Sequence, residues 1–205
     1  MKKIYILIFI LLLSVILYFS FDNTKKIDPI GKNGVILAFG DSLTLGVGTS
    51  EEYSYPKVLE ELCELKVINS GVSGETTREG LIRFPRVLTQ TKPDLIILIE
   101  GGNDILRNVP YENIKNNIIK MVEHAINKNI PILLIGVPEK KIFSDAAPFY
   151  NEIAIKYDLP YTDSIIGSLL RSSEYKSDSI HFNKEGYQKM GTEIHQLLQK
   201  SGALD

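Results

Sequence analysis

Apolar and polar positions alternate regularly from Gly34 to the end of the chain. Short, nearly continuous apolar runs alternate with longer stretches in which apolar side chains recur at helical spacing. The first pattern predicts buried strands and the second predicts amphipathic helices. The predicted strands are 35–39, 66–69, 95–99, 132–137 and 159–162. The predicted helices are 55–65, 76–89, 114–125, 146–156 and 184–199.

Strands that alternate with helices at this rhythm indicate an α/β fold in which helices cover both faces of a parallel sheet. Local signals support individual helices: Ser54 and Asn183 are suitable N-caps, and Thr76 with Glu79 has the form of a capping box. We therefore predict one three-layer α/β/α sandwich with a five-stranded parallel sheet over residues 34–205. Residues 22–33, which include Pro29 and Gly31, are predicted to be a linker.

The first 21 residues have a different character. Two lysines follow Met1, and an almost unbroken apolar run then extends from Ile4 to Phe21. A charged start followed by such a run is typical of a secretory signal or an N-terminal membrane anchor, and this run is about long enough to span a bilayer. No clear cleavage site follows it, which favours an uncleaved anchor. We expect membrane association through this segment and an extracytoplasmic location for the rest of the chain.

Composition excludes several classes of function. The chain has 205 residues, 44% of them hydrophobic, and a formal net charge of −2 with no cluster of basic residues. Nothing in this charge pattern indicates nucleic-acid binding. Cys63 is the single cysteine, so no internal disulfide can form, and no zinc-binding spacing of Cys and His occurs. We expect no cofactor and no metal, and the sequence leaves the oligomeric state open.

Polar residues follow the predicted strands at the edge where a parallel α/β sheet binds ligands, the carboxyl ends of its strands. The first strand is followed by Gly40-Asp41-Ser42-Leu43, the second by a segment containing Gly74, and the third by Gly101-Gly102-Asn103-Asp104. Ser42 alone is weak evidence, because serine after glycine is common in turns. His181 strengthens the case for a catalytic site, because it lies in a predicted loop while the other two histidines lie in predicted helices.

Asp178 lies three residues before His181, so a single turn can bring its carboxylate to the Nδ1 atom of the imidazole. These residues predict a nucleophile, a base and an orienting acid. An oxyanion would need hydrogen-bond donors, and the candidates are the backbone N–H groups of Ser42 and Gly74 and the side-chain amide of Asn103. Each residue by itself could have a purely structural role, but it is implausible that all of them do at the ends of neighbouring strands.

The segments Gly40-Asp41-Ser42-Leu43, Gly74 in its V-S-G-E-T context, G-N-D at 102–104 and D-x-x-H at 178–181 resemble the four motif blocks of the GDSL, or SGNH, hydrolases. Longer stretches around 69–85 and 100–107 are most similar to bacterial arylesterases and to thioesterase I/lysophospholipase L1. The resemblance covers about residues 34–200. It implies a flavodoxin-like sheet with strand order 2-1-3-4-5, catalytic Ser42, Asp178 and His181, and an oxyanion hole of Ser42, Gly74 and Asn103.

The implied activity is hydrolysis of short- to medium-chain acyl esters, with thioesters or lysophospholipids as further substrates, through an acyl-enzyme. Three alternatives stay open: an extracytoplasmic O-acetylesterase acting on polysaccharide or peptidoglycan, a non-catalytic glycan- or lipid-binding module, and a metal-dependent hydrolase using Asp104, Asp178 and His181. Phe182 departs from the proline or leucine common at this position, which leaves the shape of its loop open.

Other polar residues have simpler interpretations. We expect Asp41 and Asp104 to cap or brace their loops, and Arg78, Arg83 and Arg86 to form a solvated helix face. The segment 139–147 follows the fourth strand on the catalytic edge, and its Ile142-Phe143 pair is a candidate lining for an acyl groove.

Overall fold

The computed structural model describes residues 25–141 and 144–204. The apolar segment 1–21, the first residues of the predicted linker and the Ile142-Phe143 pair lie outside the described residues. Within the described ranges, no helix is long and apolar enough to cross a membrane.

The core of the fold is a five-stranded, fully parallel sheet. Its spatial order is β2-β1-β3-β4-β5, so the predicted fold class and strand order are both confirmed. The strands are β1 (Val35–Gly40), β2 (Lys66–Gly71), β3 (Leu95–Ile99), β4 (Ile132–Ile135) and β5 (Tyr161–Thr162). Every residue of β3 is buried, as expected for a central strand covered on both faces, which explains its continuous apolar sequence.

Helices cover the sheet in two groups. They are α1 (Ser42–Leu45), α2 (Tyr55–Cys63), α3 (Thr77–Thr91), α4 (Gly102–Leu106), α5 (Tyr111–Ile126), α6 (Pro148–Tyr157), α7 (Ile165–Arg171) and α8 (Lys184–Ser201). Helices α2 and α7 pack against α8, while α3 and α6 pack against α5. The short helices α1, α4 and α7 are absent from the sequence prediction, because one or two turns carry too little apolar periodicity to be distinguished from a loop.

Two of the predicted helix caps are present. The backbone N–H of Thr76 donates to the Glu79 carboxylate at 2.9 Å, and the Asn183 side chain accepts from the Gly186 N–H at 2.9 Å. Ser54 precedes α2 as expected, but its hydroxyl donates to the Glu51 carbonyl and does not cap the helix.

The described part of the predicted linker is attached to the domain. The N–H groups of Ile27 and Ile30 donate to the carbonyls of Ser201 and Ala203, each at 2.9 Å, and the Ile27 side chain is buried. The chain therefore reaches β1 along the C-terminal end of α8. Because Gly34 directly precedes β1, this entry lies at the edge of the sheet opposite the carboxyl ends of the strands.

Candidate active site

Ser42 is positioned by a tight turn at the carboxyl end of β1. A Cβ atom at Gly40 would lie 2.2 Å from the Ile99 carbonyl oxygen and 2.3 Å from Thr44 Oγ1, so only glycine fits there. Asp41 then caps α1, since its Oδ1 accepts from the Leu43 N–H at 3.0 Å. This cap confirms the bracing role expected for Asp41, and it leaves Ser42 as the first residue of α1.

Ser42, His181 and Asp178 are hydrogen-bonded in series. His181 Nε2 lies 3.0 Å from Ser42 Oγ, and His181 Nδ1 lies 2.7 Å from Asp178 Oδ2. With the proton on Nδ1 donated to Asp178, Nε2 is free to accept the hydroxyl proton of Ser42. The structure therefore brings together the three residues that the sequence predicts as nucleophile, base and acid.

The aspartate is held by its own turn. Asp178 Oδ1 accepts from the backbone N–H groups of Ile180 and His181, each at 2.8 Å. The hydrogen bond from His181, followed by the one from Ile180, lowers the pKa of Asp178 to about 2. Although this side chain is half exposed, it stays ionised at any physiological pH and fixes the orientation of the imidazole.

Phe182 anchors the segment that carries the histidine. Its ring is fully buried and packs edge-on against Tyr187, with ring centroids 5.5 Å apart. The Tyr187 hydroxyl in turn donates to the Val47 carbonyl at 2.8 Å, which ties the start of α8 to the loop after α1. The unusual residue after His181 is thus accommodated by burial.

The three candidate oxyanion donors lie on the loops after β1, β2 and β3. The Asn103 side-chain nitrogen donates to the Glu75 carbonyl at 2.9 Å and lies 3.3 Å from Asp41 Oδ2. Gly74 has a φ of +78°, and its carbonyl accepts from Arg107 at 3.0 Å. In the described part of the chain, no acceptor engages the N–H groups of Gly74 and Ser42.

Asp104 braces two loops, as the sequence predicts. Its carboxylate accepts from the Thr77 N–H and from the Thr77 hydroxyl, each at 2.8 Å. Both of its oxygens are therefore used away from His181, which does not fit the alternative of a metal site built on Asp104, Asp178 and His181. Within residues 25–141 and 144–204, no group of three or more His, Cys, Asp or Glu side chains is arranged to hold a metal ion.

The prediction of a solvated face is wrong for Arg83. Its side chain is only 14% exposed, and its guanidinium pairs with Glu75 through contacts of 2.6 and 2.5 Å. It also stacks 3.8 Å from the centre of the Phe39 ring. Arg83 lies three residues after buried Gly80 and next to buried Phe84, so its place on the buried face of α3 was readable from helical spacing.

A cavity of about 410 Å³ opens beside Ser42 and Asn103. This volume is typical of sites for small molecules. Much of its wall is apolar and is contributed by Ile105, Leu106, Val137, Ile166, Leu170 and Ile180. The cavity therefore offers an apolar surface next to the Ser42 hydroxyl.

Comparison with known proteins identifies the family of this chain. The sequence model of the GDSL-like lipase/acylhydrolase family matches residues 38–189. An arylesterase from Vibrio mimicus is 34% identical over 149 residues, which cover 68% of this chain and 71% of that protein.

A second relative and a solved structure extend this result. The thioesterase 1/protease 1/lysophospholipase L1 of Escherichia coli strain K12 is 27% identical over 158 residues, covering 73% of this chain and 76% of that protein. The crystal structure of AlinE4, an SGNH-hydrolase family esterase, superposes with a TM-score of 0.66 at 30% identity, covering 84% of this chain and 98% of that one.

Asp41 predicts a pH-dependent stability. Burial raises the pKa of this carboxyl group from 3.8 to about 6 in the folded protein. Between these two values the folded state binds the additional proton, so stability is lost as the pH rises through this window. Relative to Asp41→Asn, we expect the unmodified protein to lose up to ~3 kcal/mol of unfolding free energy between about pH 4 and pH 7. Urea unfolding of both proteins across this range measures the effect, and a constant difference would contradict it.

Proposed function

Because this chain belongs to the GDSL-like lipase/acylhydrolase family and is a carboxylic ester hydrolase, we propose that it hydrolyses short- to medium-chain acyl esters through an acyl-enzyme on Ser42. The observation that carries the proposal is the hydrogen-bonded series from Ser42 through His181 to Asp178. Thioesters and lysophospholipids are chemically related substrates that the same site would accept.

In the proposed reaction, His181 Nε2 removes the Ser42 hydroxyl proton as Oγ attacks the carbonyl carbon of the ester. Asp178 stabilises the imidazolium that forms and keeps it oriented. His181 then gives the proton to the departing alkoxide, and the acyl group stays on Ser42. A water molecule, deprotonated by the same imidazole, attacks the acyl carbon; the bond to Ser42 Oγ breaks, the imidazolium returns its proton to Oγ, and the carboxylic acid is released.

The carbonyl oxygen becomes negatively charged in both tetrahedral intermediates. We propose that the N–H groups of Ser42 and Gly74 and the amide of Asn103 donate to it. The free N–H groups on the first two residues support this role. The Asn103 amide is oriented by the Glu75 carbonyl, which accepts one of its two N–H groups at 2.9 Å. The other N–H donates to Asp41 Oδ2 at 3.3 Å, and in the proposed reaction the oxyanion takes the place of this longer contact.

The apolar cavity beside Ser42 supports an acyl chain as the group bound there. Each methylene that an apolar wall removes from water contributes about 0.8 kcal/mol. Several methylenes fit the size of the cavity, so a preference for chains longer than acetyl is expected. An O-acetylesterase would not use this wall, which is why we rank that alternative second.

We also propose that the enzyme acts outside the cytoplasm, tethered or released. The proposal rests on the charged and apolar pattern of residues 1–21. The match to a Bacillus subtilis protein named as a lipoprotein, 29% identical over half of this chain, supports the same location.

Ser42→Ala removes the proposed nucleophile. We expect kcat for p-nitrophenyl esters to fall by about 10⁴-fold or more, with the fold unchanged. An activated fluorophosphonate probe should label the unmodified protein and should not label the variant. Ser50→Ala, which changes an exposed serine in the loop before α2, is the matched control and should keep both properties. If Ser42→Ala is still labelled or keeps substantial turnover, the nucleophile is another residue. If the probe does not label the unmodified protein, the alternative of a non-catalytic binding module is favoured.

Asn103→Ala removes one proposed oxyanion donor. Because that hydrogen bond strengthens only as charge develops, we expect kcat to fall by roughly 10²–10³-fold while KM changes little. Asn116→Ala, which changes an exposed asparagine on α5, is the control. A rise in KM with unchanged kcat would instead give Asn103 a role in ground-state binding.

Leu170→Trp narrows the proposed acyl cavity. Loss of room for about two methylenes should lower kcat/KM for p-nitrophenyl octanoate about 10-fold relative to the acetate. Ile82→Trp, on the exposed face of α3, is the control and should leave this ratio unchanged. If Leu170→Trp lowers kcat/KM equally for both esters, the cavity does not bind the acyl chain. If kcat/KM of the unmodified enzyme does not rise for acyl chains longer than acetyl, the O-acetylesterase alternative is favoured.

A further inference from the structure

A carboxyl group without a hydrogen-bond donor lies beneath the candidate active site. Glu100 directly follows β3 and is 1% exposed. In the described part of the chain, no donor approaches either of its carboxyl oxygens. An ionised carboxylate buried in this way would carry a large desolvation cost with nothing to offset it.

A second buried acid, Glu75, approaches the same space as Glu100. The two side chains converge over Gly80: a Cβ atom added there would lie 3.0 Å from Glu100 Oε1 and 3.4 Å from Glu75 Oε2. The absence of a side chain at Gly80 therefore creates the space in which the two carboxyl groups meet. Their contact is favourable only when one of them carries a proton.

The charges around the pair decide which acid is protonated. Arg83 donates from Nε to Glu75 Oε1 at 2.6 Å and from Nη2 to Glu75 Oε2 at 2.5 Å, so Glu75 is ionised and paired. Glu100 has no hydrogen bond from a cation, and the charge of Arg83 acts on it more weakly than Asp41 and Glu75 do. Burial first, and then the charge of Asp41 and the contact with Glu75, raise the pKa of Glu100 well above its ordinary value.

This acid pair is connected to the proposed oxyanion donors. Glu75 is adjacent to Gly74, and its backbone carbonyl accepts from the Asn103 amide at 2.9 Å. The Glu100 backbone is also fixed, because its carbonyl accepts from the Tyr150 hydroxyl at 2.6 Å. A hydrogen bond between the two side chains would thus join the loop after β2, whose Glu75 carbonyl accepts from Asn103, to the residue that directly follows β3.

We propose that Glu100 is a positioning residue: it stays a neutral carboxylic acid, donates its proton to the Glu75 carboxylate, and so holds the loop that orients Gly74 and Asn103. The proposal rests on the proposed role of Asn103 in the oxyanion hole for its effect on catalysis. The protonation state of Glu100 does not depend on that role and is measurable without turnover.

Infrared spectroscopy tests the protonation state. At about pH 8, where ordinary carboxyl groups are ionised, the unmodified protein should show the C=O stretch of a protonated carboxylic acid. Glu100→Gln should lack this band, and Glu152→Gln, which changes an exposed glutamate, should keep it. Absence of the band in the unmodified protein, or its persistence in Glu100→Gln, would overturn the proposal.

Kinetics test the positioning role. Glu100→Gln keeps an N–H donor for Glu75, and we expect its kcat to stay within about threefold of the unmodified enzyme. Glu100→Leu has no donor and should lower kcat about 10-fold or more with little change in KM, because the oxyanion donors are displaced. Leu198→Ala changes a buried residue near the C-terminal end of α8. It controls for a loss of stability without a change in the site, and it should keep kcat. Equal losses in the Gln and Leu variants would contradict the proposal.

A double-mutant cycle completes the test. In an Asn103→Ala background, Glu100→Leu should lower kcat by clearly less than it does in the unmodified enzyme, because one of the two donors that Glu100 positions is already gone and only Gly74 remains. Additive losses would show that Glu100 acts elsewhere and would overturn the proposal. Should Glu100→Leu not fold, the infrared comparison with Glu100→Gln decides. Retained activity in Ser42→Ala would contradict the proposed function, but the infrared result on the protonation of Glu100 would still hold.

Discussion

The buried ion pair between Arg83 and Glu75 is the contact on which the catalytic edge of the sheet depends. From α3, the Arg83 guanidinium reaches the ends of β1 and β2, where it donates to the carbonyls of Gly40 at 3.3 Å and Ser70 at 2.9 Å. Burying two charges is expensive, so such a pair is weak evidence of net stability, and we infer that its role here is to fix an arrangement. Here the arrangement is the relative position of the loops that carry Ser42, Gly74 and Asn103.

The proposed base and acid, His181 and Asp178, are joined to this frame by long-range contacts. Asp178 and His181 are three residues apart and orient each other within a single turn. Ser42 lies 139 residues away along the chain, yet its hydroxyl is 3.0 Å from His181 Nε2. That distance is set by the packing of Phe182 and Tyr187 and by the bond from Tyr187 to Val47, all of which tie the start of α8 to the loop after α1.

Sequence patterns predicted the fold well because its signals are local and repeated. The apolar run of β3, the Thr76–Glu79 contact and the Asn183 cap each depend on neighbouring residues only. The short helix α7 was missed because two turns inside a loop-rich region carry little periodicity. Arg83 was placed on the wrong face because a charged residue is usually exposed, and its partner Glu75 belongs to another element.

By itself, the sequence determined the order of strands and helices, the residues that follow each strand, and the short-range pair of Asp178 and His181. Periodicity and capping act within a few residues, so they can be read without the fold. Only the tertiary structure decided that Arg83 pairs with Glu75, that the Glu100 and Glu75 side chains converge over Gly80, and that Asn103 is oriented by the Glu75 carbonyl. Whether a buried charge is paired or must be neutral depends on groups that lie close in space and far apart along the chain, which no local pattern records.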